Sequence, residues 1–417
     1  MTEFVLCTLG TRGDVEPFVS LAAALTSRSY GVTALANENW KEDFQRAGAT
    51  FRSIAPEDES QSGRDDYKFF IRSILPSFRE SYDCVSELVS RKSVALVYRA
   101  NMLGMECAAE SFTLPNVRVV LQPSSVKSYL RPPWPLSTLT ESPFRSLSAR
   151  VLVPAIYCAS EAFSRYRLLA NLFRKSVGVR PVHPWGRHKD VADLTLLFCP
   201  GWFAMPQADW PSNLHMVGFP APRESSLHPE LRSFIADRGA PLVFTPGTGV
   251  SEVKEFFERA TKVAECLGLA AVFLSKHYTK ASSASSSIIC HPYAELAPLL
   301  QASAALIHHG GIGTTAQAIF AGIPQMIVPD RFDQPDNAMR VACLGLGSVV
   351  LGRKFCGADW ASLLDRTMSS THVKSQLATA RELLRSSDAI ATSVKMIEKC
   401  VGCTSAYAPQ VISDEAA

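Results

Sequence analysis

The chain has no run of about 18 apolar residues, so no segment of it reads as a membrane-spanning helix. It also lacks an excess of either charge: 42 Lys and Arg stand against 39 Asp and Glu, a net +3. That near balance argues against a nucleic-acid binder. The opening MTEFVLCTLG has no basic leader and reads as a first strand rather than a signal peptide. The 11 cysteines, an odd number, are scattered through apolar segments, and most read as buried thiols of a reducing, cytoplasmic compartment. Cys400 and Cys403 make one CxxC, but no second pair or nearby histidine completes a zinc site, so no metal is expected there.

What is present is enough apolar sequence, 47% of 417 residues, for large cores in two to three domains. Phe4–Leu9 reads as a strand, Gly10–Asp14 as a turn, Val15–Ser27 as an apolar-striped helix and Val32–Ala36 as a second strand. This βαβ start predicts a parallel sheet with function at the C-terminal ends of its strands. Val94–Tyr98, Val117–Leu121 and Asp193–Phe198 continue the strand pattern, and Glu57–Asp66 reads as an acidic surface loop. Residues 221–230 read as a linker. A second unit begins at Leu242, where LVFTPGTGV is a strand running into a Gly-rich turn. Thr248 and the backbone N–H groups beside it are candidates for holding phosphate. Lys280–Ser287 reads as a Ser/Ala loop. The predicted division is 1–220, 221–400 and a polar, non-periodic tail at 401–417.

The stretch Ala304–Asn337, AALIHHGGIGTTAQAIFAGIPQMIVPDRFDQPDN, carries the most chemistry. An apolar strand leads into His308, His309, Gly310, Gly311 and Gly313, and Thr314 and Thr315 open a helical pattern that Gly322 and Pro324 stop. Helix-start N–H groups and the helix dipole favour an anion at such a turn. It is neither a dinucleotide fingerprint, because Ala316 stands where the last glycine should be, nor a Walker A loop, because no Lys follows the glycines.

HHGGIGTT, AGIPQMIVP and DQPDNAMRV together resemble the donor-binding region of nucleotide-sugar glycosyltransferases of the GT-B architecture, within its bacterial and sterol-glucosyltransferase branch. GTRGDVEP at Gly10–Pro17 is similar to the turn that in such enzymes presents a base to the acceptor. The resemblance implies an α/β fold of two Rossmann-like domains whose parallel sheets face across a cleft. The last helix would cross back to the first domain. It also implies direct, inverting transfer of a hexosyl group from a UDP- or dTDP-sugar to an acceptor hydroxyl. Asp14 would be the general base, although Asp also suits a helix N-cap. On the donor side, Tyr293 would stack on the base, and His309, Gly311, Gly313, Thr314 and Thr315 would hold the diphosphate. Gln317 would reach the ribose, where plant relatives carry a glutamate, and Asp333 and Gln334 would read the sugar hydroxyls. Tyr293 reads equally as a strand-end core residue, and Asp333–Gln334 as a polar turn. Thr11, Ser124 and Trp134 are the candidates for the acceptor side. No Asp-x-Asp occurs, in keeping with a reaction that needs no cofactor or metal.

Cys199–Pro220, CPGWFAMPQADWPSNLHMVGFP, resembles the corresponding stretch of bacterial rhamnolipid rhamnosyltransferases and points to a lipophilic, hydroxy-acyl acceptor. Residues 127–190 hold 11 Lys or Arg against 3 Asp or Glu, interleaved with aromatics. That composition fits single-stranded nucleic acid, an anionic lipid or peripheral contact with a membrane's inner face, or plain amphipathic helices with solvated arginines. Two other functions share the motifs: a nucleotide-sugar 2-epimerase on the same fold, and a non-catalytic protein that binds sugar nucleotide or lipid.

Overall fold

The computed structural model describes residues 2–55, 75–140, 151–162, 165–181, 192–247, 253–276, 286–350 and 357–405. Thr248, the Glu57–Asp66 loop and most of the Ser/Ala loop lie outside them. The first sheet has seven strands: β1 (Glu3–Cys7), β2 (Gly31–Asn37), β3 (Thr50–Ala55), β4 (Val94–Arg99), β5 (Asn116–Val120), β6 (Leu194–Leu197) and β7 (Leu214–Met216). Their order is β3-β2-β1-β4-β5-β6-β7, and all pairs are parallel. The second sheet has six: β8 (Leu242–Thr245), β9 (Ala271–Leu274), β10 (Ile288–His291), β11 (Ala305–His308), β12 (Gln325–Ile327) and β13 (Gly347–Val349), in the order β10-β9-β8-β11-β12-β13, again parallel. β7 and β13 escape sequence reading because each is three residues of partly exposed, weakly patterned edge.

Strands buried on both faces explain the uninterrupted apolar runs. In β1, Phe4 and Leu6 join one core layer while Val5 and Cys7 join the opposite one. A third cluster spans both units: Val120, Leu197 and Phe219 pack with Ile319, Ile327 and Val341. The last helix, Ala389–Ser405, returns to the first unit, where Ala389, Val394 and Ile397 enter its core and Glu398 pairs with Arg28 at 3.0 Å. The tail reading therefore starts too early: Val401–Ser405 continue this helix. The cysteines also divide more evenly than expected. Cys7, Cys84, Cys107 and Cys199 are buried, whereas Cys266 and Cys343 are exposed.

Each sheet reverses its strand order once, between β1 and β4 and between β8 and β11. Ligands of open α/β sheets bind in the crevice outside the strand ends at such points. The Asp14 turn leaves β1 and the His309 turn leaves β11, so both candidate turns sit at a switch point.

Candidate active site

The helix after β1, α1, runs from Arg12 to Thr26, three residues earlier than its apolar stripe suggests. Asp14 is therefore inside the first turn rather than at the cap. Its Oδ2 accepts hydrogen bonds from the Thr11 backbone N–H (2.9 Å) and Oγ1 (3.0 Å), closing one half of a capping box. Its Oδ1 meets Arg99 Nη2 at 2.9 Å, and Arg99 also donates to the Leu9 carbonyl at 3.3 Å. Arg99 ends β4, the strand across the switch point. Sequence reading missed it because its partner is 85 positions away. The available signal was a lone cation closing the apolar run VALVY.

Across the cleft, the helix Ile312–Ala321 starts at Gly311, which has no side chain to cap it. It begins two residues before Thr314, which places both threonines in its first turn. The Ile312 N–H is taken by the Asp333 carboxylate, and the next N–H groups of this first turn have no intrahelical acceptor and suit an anion. Thr314 is half-buried. Thr315 is fully buried, with no partner for Oγ1, so its hydroxyl lies inside the fold rather than on the cleft wall. The starts of the two helices touch: a Cβ on Gly313 would lie 3.6 Å from Gly13 Cα.

The two histidines have different surroundings. His308 is wholly buried: Gly310 N–H donates to its Nδ1 (3.1 Å), so Nε2 carries the proton and donates to Gln325 Oε1 (2.9 Å). Burial, then the neighbouring His309, pushes its pKa down to about 3. His309 lies in a cradle of glycine backbone. A Cβ on Gly247 would come 2.7 Å from its ring, and one on Gly311 2.6 Å. Burial lowers its pKa to about 4, partly offset by the Thr245 backbone, and Nδ1 has no hydrogen-bond partner. Both rings are neutral at pH 7. His308 shapes the turn.

Asp333 caps the helix Gln334–Cys343 by position and accepts from Asn337 Nδ2 at 2.7 Å; that nitrogen also donates to Gly310 O at 3.0 Å. Burial raises the Asp333 pKa, its bond to Asn337 opposes this, and the Asp14 carboxylate adds to it from the other domain. The two carboxylates therefore sense each other across the cleft. Gln334 spends its amide oxygen on the loop, accepting from the N–H groups of Asp330 (2.9 Å) and Arg331 (3.1 Å), which leaves its NH2 as the group for a ligand. Beside the Gly13–Gly313 contact, a solvent-open cavity of about 590 Å³ is lined by Glu16, Phe219, Arg223, Gly313 and Gln317 among others.

Tyr293 is 40% exposed and donates from its hydroxyl to Glu295 Oε1 at 2.6 Å. Burial first, then this bond, raises its pKa. The Arg12 guanidinium of α1 lies 4.6 Å over its ring and reaches the same Glu295 oxygen at 3.0 Å. This bridge between the units was not legible in sequence. On the acceptor side, Thr11 is exposed and bound to Asp14, and Ser124 is half-buried in the turn after β5. The Trp134 backbone N–H donates to Asp336 Oδ1 of the second unit at 3.1 Å. Tyr293 follows β10, His309 and Gln317 lie on the turn and helix after β11, and Asp333 follows β12; Thr11, Arg12, Asp14 and Arg99 belong to the first unit.

Residues 4–99, which contain Asp14 and Arg99, match the glycosyltransferase family 28 N-terminal domain. Residues 273–392, which contain every described donor-side candidate, match the erythromycin biosynthesis protein CIII-like C-terminal domain. The chain is 29% identical over 377 residues to O-mycaminosyltylonolide 6-deoxyallosyltransferase of Streptomyces fradiae, covering 82% of this chain and 84% of that one. It is 30% identical over 372 residues to glycosyltransferase GtfE of Amycolatopsis orientalis, with the same coverage of 82% and 84%. In three dimensions it is similar to glycosyltransferase VinC solved in complex with dTDP (TM-score 0.67, 17% identity, 96% of this chain and 100% of that one). With the two domain matches enclosing the two facing turns, this chain belongs to the GT-B nucleotide-sugar glycosyltransferases and is a glycosyltransferase.

Proposed function

We propose that this enzyme moves a hexosyl group, with inversion, from a UDP- or dTDP-sugar to a hydroxyl of a lipophilic small molecule, a hydroxy-acyl lipid or a natural-product aglycone. The observation that carries this reading is the meeting of two helix starts at Gly13 and Gly313: one holds a carboxylate, the other presents first-turn N–H groups behind Gly311, which has no capping side chain. The diphosphate would lie on the Ile312–Ala321 helix start with His309 donating to it. Asp333 and the Gln334 amide would take the sugar hydroxyls, and Gln317 the ribose. As the acceptor oxygen bonds to the anomeric carbon, its proton passes to Asp14. The bond from that carbon to the phosphate oxygen breaks, and the nucleoside diphosphate leaves with the electron pair. Helix amides and a neutral imidazole stabilise the charge that develops on it.

The names of the relatives support the acceptor class, and the dTDP held by one structural neighbour supports the nucleotide. No helix among the described residues is long and apolar enough to cross a membrane. Peripheral membrane contact through 127–190 is supported by exposed Leu168 and Leu172 beside exposed Lys175 and Arg180. Calorimetry with dTDP, UDP, GDP and ADP tests the reading at its base. Selective binding of dTDP or UDP is expected, and the same nucleotide's sugars then serve in an acceptor screen. Failure of all four to bind would remove the donor site and the proposal with it.

A further inference from the structure

Among the described residues, one group offers three side chains of metal-ligating type: His228, Glu230 and His291, with one ligand atom of each within 4.8 Å of the others. We propose that these three residues form a binding site for a divalent transition-metal ion of the Zn²⁺ class, at the edge of the second domain. The ligand set selects the metal: two imidazoles and a carboxylate suit Zn²⁺ and its neighbours, not the all-oxygen preference of Mg²⁺ or Ca²⁺.

The backbone holds the three residues from two directions. His228 and Glu230 flank Pro229 at the start of the helix Pro229–Arg238, where the His228 carbonyl accepts the Arg232 N–H at 3.0 Å. His291 ends β10, and its carbonyl accepts the Ser275 N–H at 3.1 Å. The His291 Nδ1 contacts the Tyr293 carbonyl. A backbone oxygen can only accept, so Nδ1 carries the proton and Nε2 keeps its lone pair for a metal. This is the backing that ligating histidines use. The His228 and His291 rings lie 4.8 Å apart, centre to centre, at 53°.

A tetrahedral ion about 2.1 Å from each ligand atom holds those atoms about 3.4 Å apart, so the side chains close by roughly an ångström on binding. His228 and Glu230 are exposed and free to do so, while His291 is half-buried and stays as the anchor. The positive end of the helix opposes a cation here, and the Glu230 charge offsets it. Three protein ligands leave a fourth position for water. His291 lies two residues from Tyr293 and contacts its carbonyl, but the three ligands include no residue of the proposed reaction, so the site does not depend on the catalytic reading.

Calorimetric titration of the full chain with Zn²⁺, repeated with Co²⁺ and followed by visible absorption, tests the site. One saturable ion in the micromolar range is expected, together with a rise in melting temperature that grows with free ion. His228→Ala and His291→Ala each weaken binding by more than about tenfold, and Glu230→Gln does so by less. His228 and Glu230 are exposed and His291 is half-buried; the melting temperature without metal checks that each variant is folded. No saturable binding to the unaltered chain would overturn the proposal. So would an affinity in either histidine variant equal to that of the unaltered chain, or a thiolate-to-cobalt charge-transfer band, which would place the ion on a cysteine.

Discussion

The two glycine-rich turns occupy the same place in two similar sheets, yet they are opposite in character. The Asp14 turn is charged and partly open: its carboxylate is 22% exposed, pinned by Arg99 on one oxygen and Thr11 on the other. The His309 turn is neutral and partly buried, with two imidazoles kept uncharged by burial and glycines pressed against the ring. A carboxylate that must accept a proton benefits from partners that fix its position while leaving it reachable. A site for a diphosphate gains from neutral donors and helix amides, since every donor there is already oriented before the ligand arrives. On the proposed reading the same strand–turn–helix unit would serve proton transfer in one domain and anion binding in the other, and the difference would lie in which side chains surround it.

Asp14→Asn breaks the comparison on the charged side. The amide keeps the shape but cannot take the proton, so turnover should fall by about a hundredfold or more. Nucleoside diphosphate affinity, set by the other turn, should stay within about twofold, since no contact of that site is altered. Single-turnover kinetics beside calorimetry read both. Full activity in this variant would remove Asp14 from the base role.

The neutral side has its own signature in pH. An unfolded histidine takes a proton near 6.5, whereas folded His308 refuses one until about pH 3. The unfolded state therefore binds more protons between these values, and stability falls as pH drops below about 6.5. For His308 alone the loss from pH 7 to pH 4 is on the order of 3 kcal/mol. Urea unfolding at the two pH values measures it. His308→Gln should be less stable at pH 7 and show a shallower acid dependence; an unchanged slope would mean that the buried imidazole is not what titrates.

The halves differed also in how far they could be read from sequence. The His309 turn is local: strand, glycines, helix and the Asp333–Gln334 pair lie within about 35 consecutive residues, so spacing carries the geometry. Even there, the Gln325 that takes the His308 Nε2–H, and the burial of Thr315, depend on packing that no local pattern shows. The Asp14 turn was legible only as a motif. Its environment is built by Arg99 from another strand, and its first helical turn was misplaced because Arg12 and Gly13 look like loop. Thr315 read as a cleft donor because hydroxyls at a helix start suit an anion, but a first-turn residue can also face inward.

His309→Ala is the next largest effect. Removing one hydrogen bond to a charged diphosphate should weaken nucleotide binding roughly 10- to 100-fold. Asp14 and its partners stay in place, so turnover at saturating donor should fall less than in Asp14→Asn. Calorimetric affinity equal to that of the unaltered chain would take His309 out of the donor site.

The smallest effect tests the seam between the turns. Arg12 stacks on Tyr293 and pairs with Glu16 and Glu295, but its side chain is 38% exposed. Screened ion pairs and a partly exposed cation–π contact contribute about 1 kcal/mol or less. Arg12→Ala should therefore leave unfolding by urea almost unmoved. Its effect belongs to the ligand: Arg12 covers the Tyr293 face on which the nucleobase would stack, so a bound base must displace it. Removing the guanidinium should speed nucleotide association several-fold while changing dissociation less. Stopped-flow binding separates the two rates. An association rate equal to that of the unaltered chain would show that the base does not compete with Arg12 for the ring, and would move the nucleobase platform away from Tyr293.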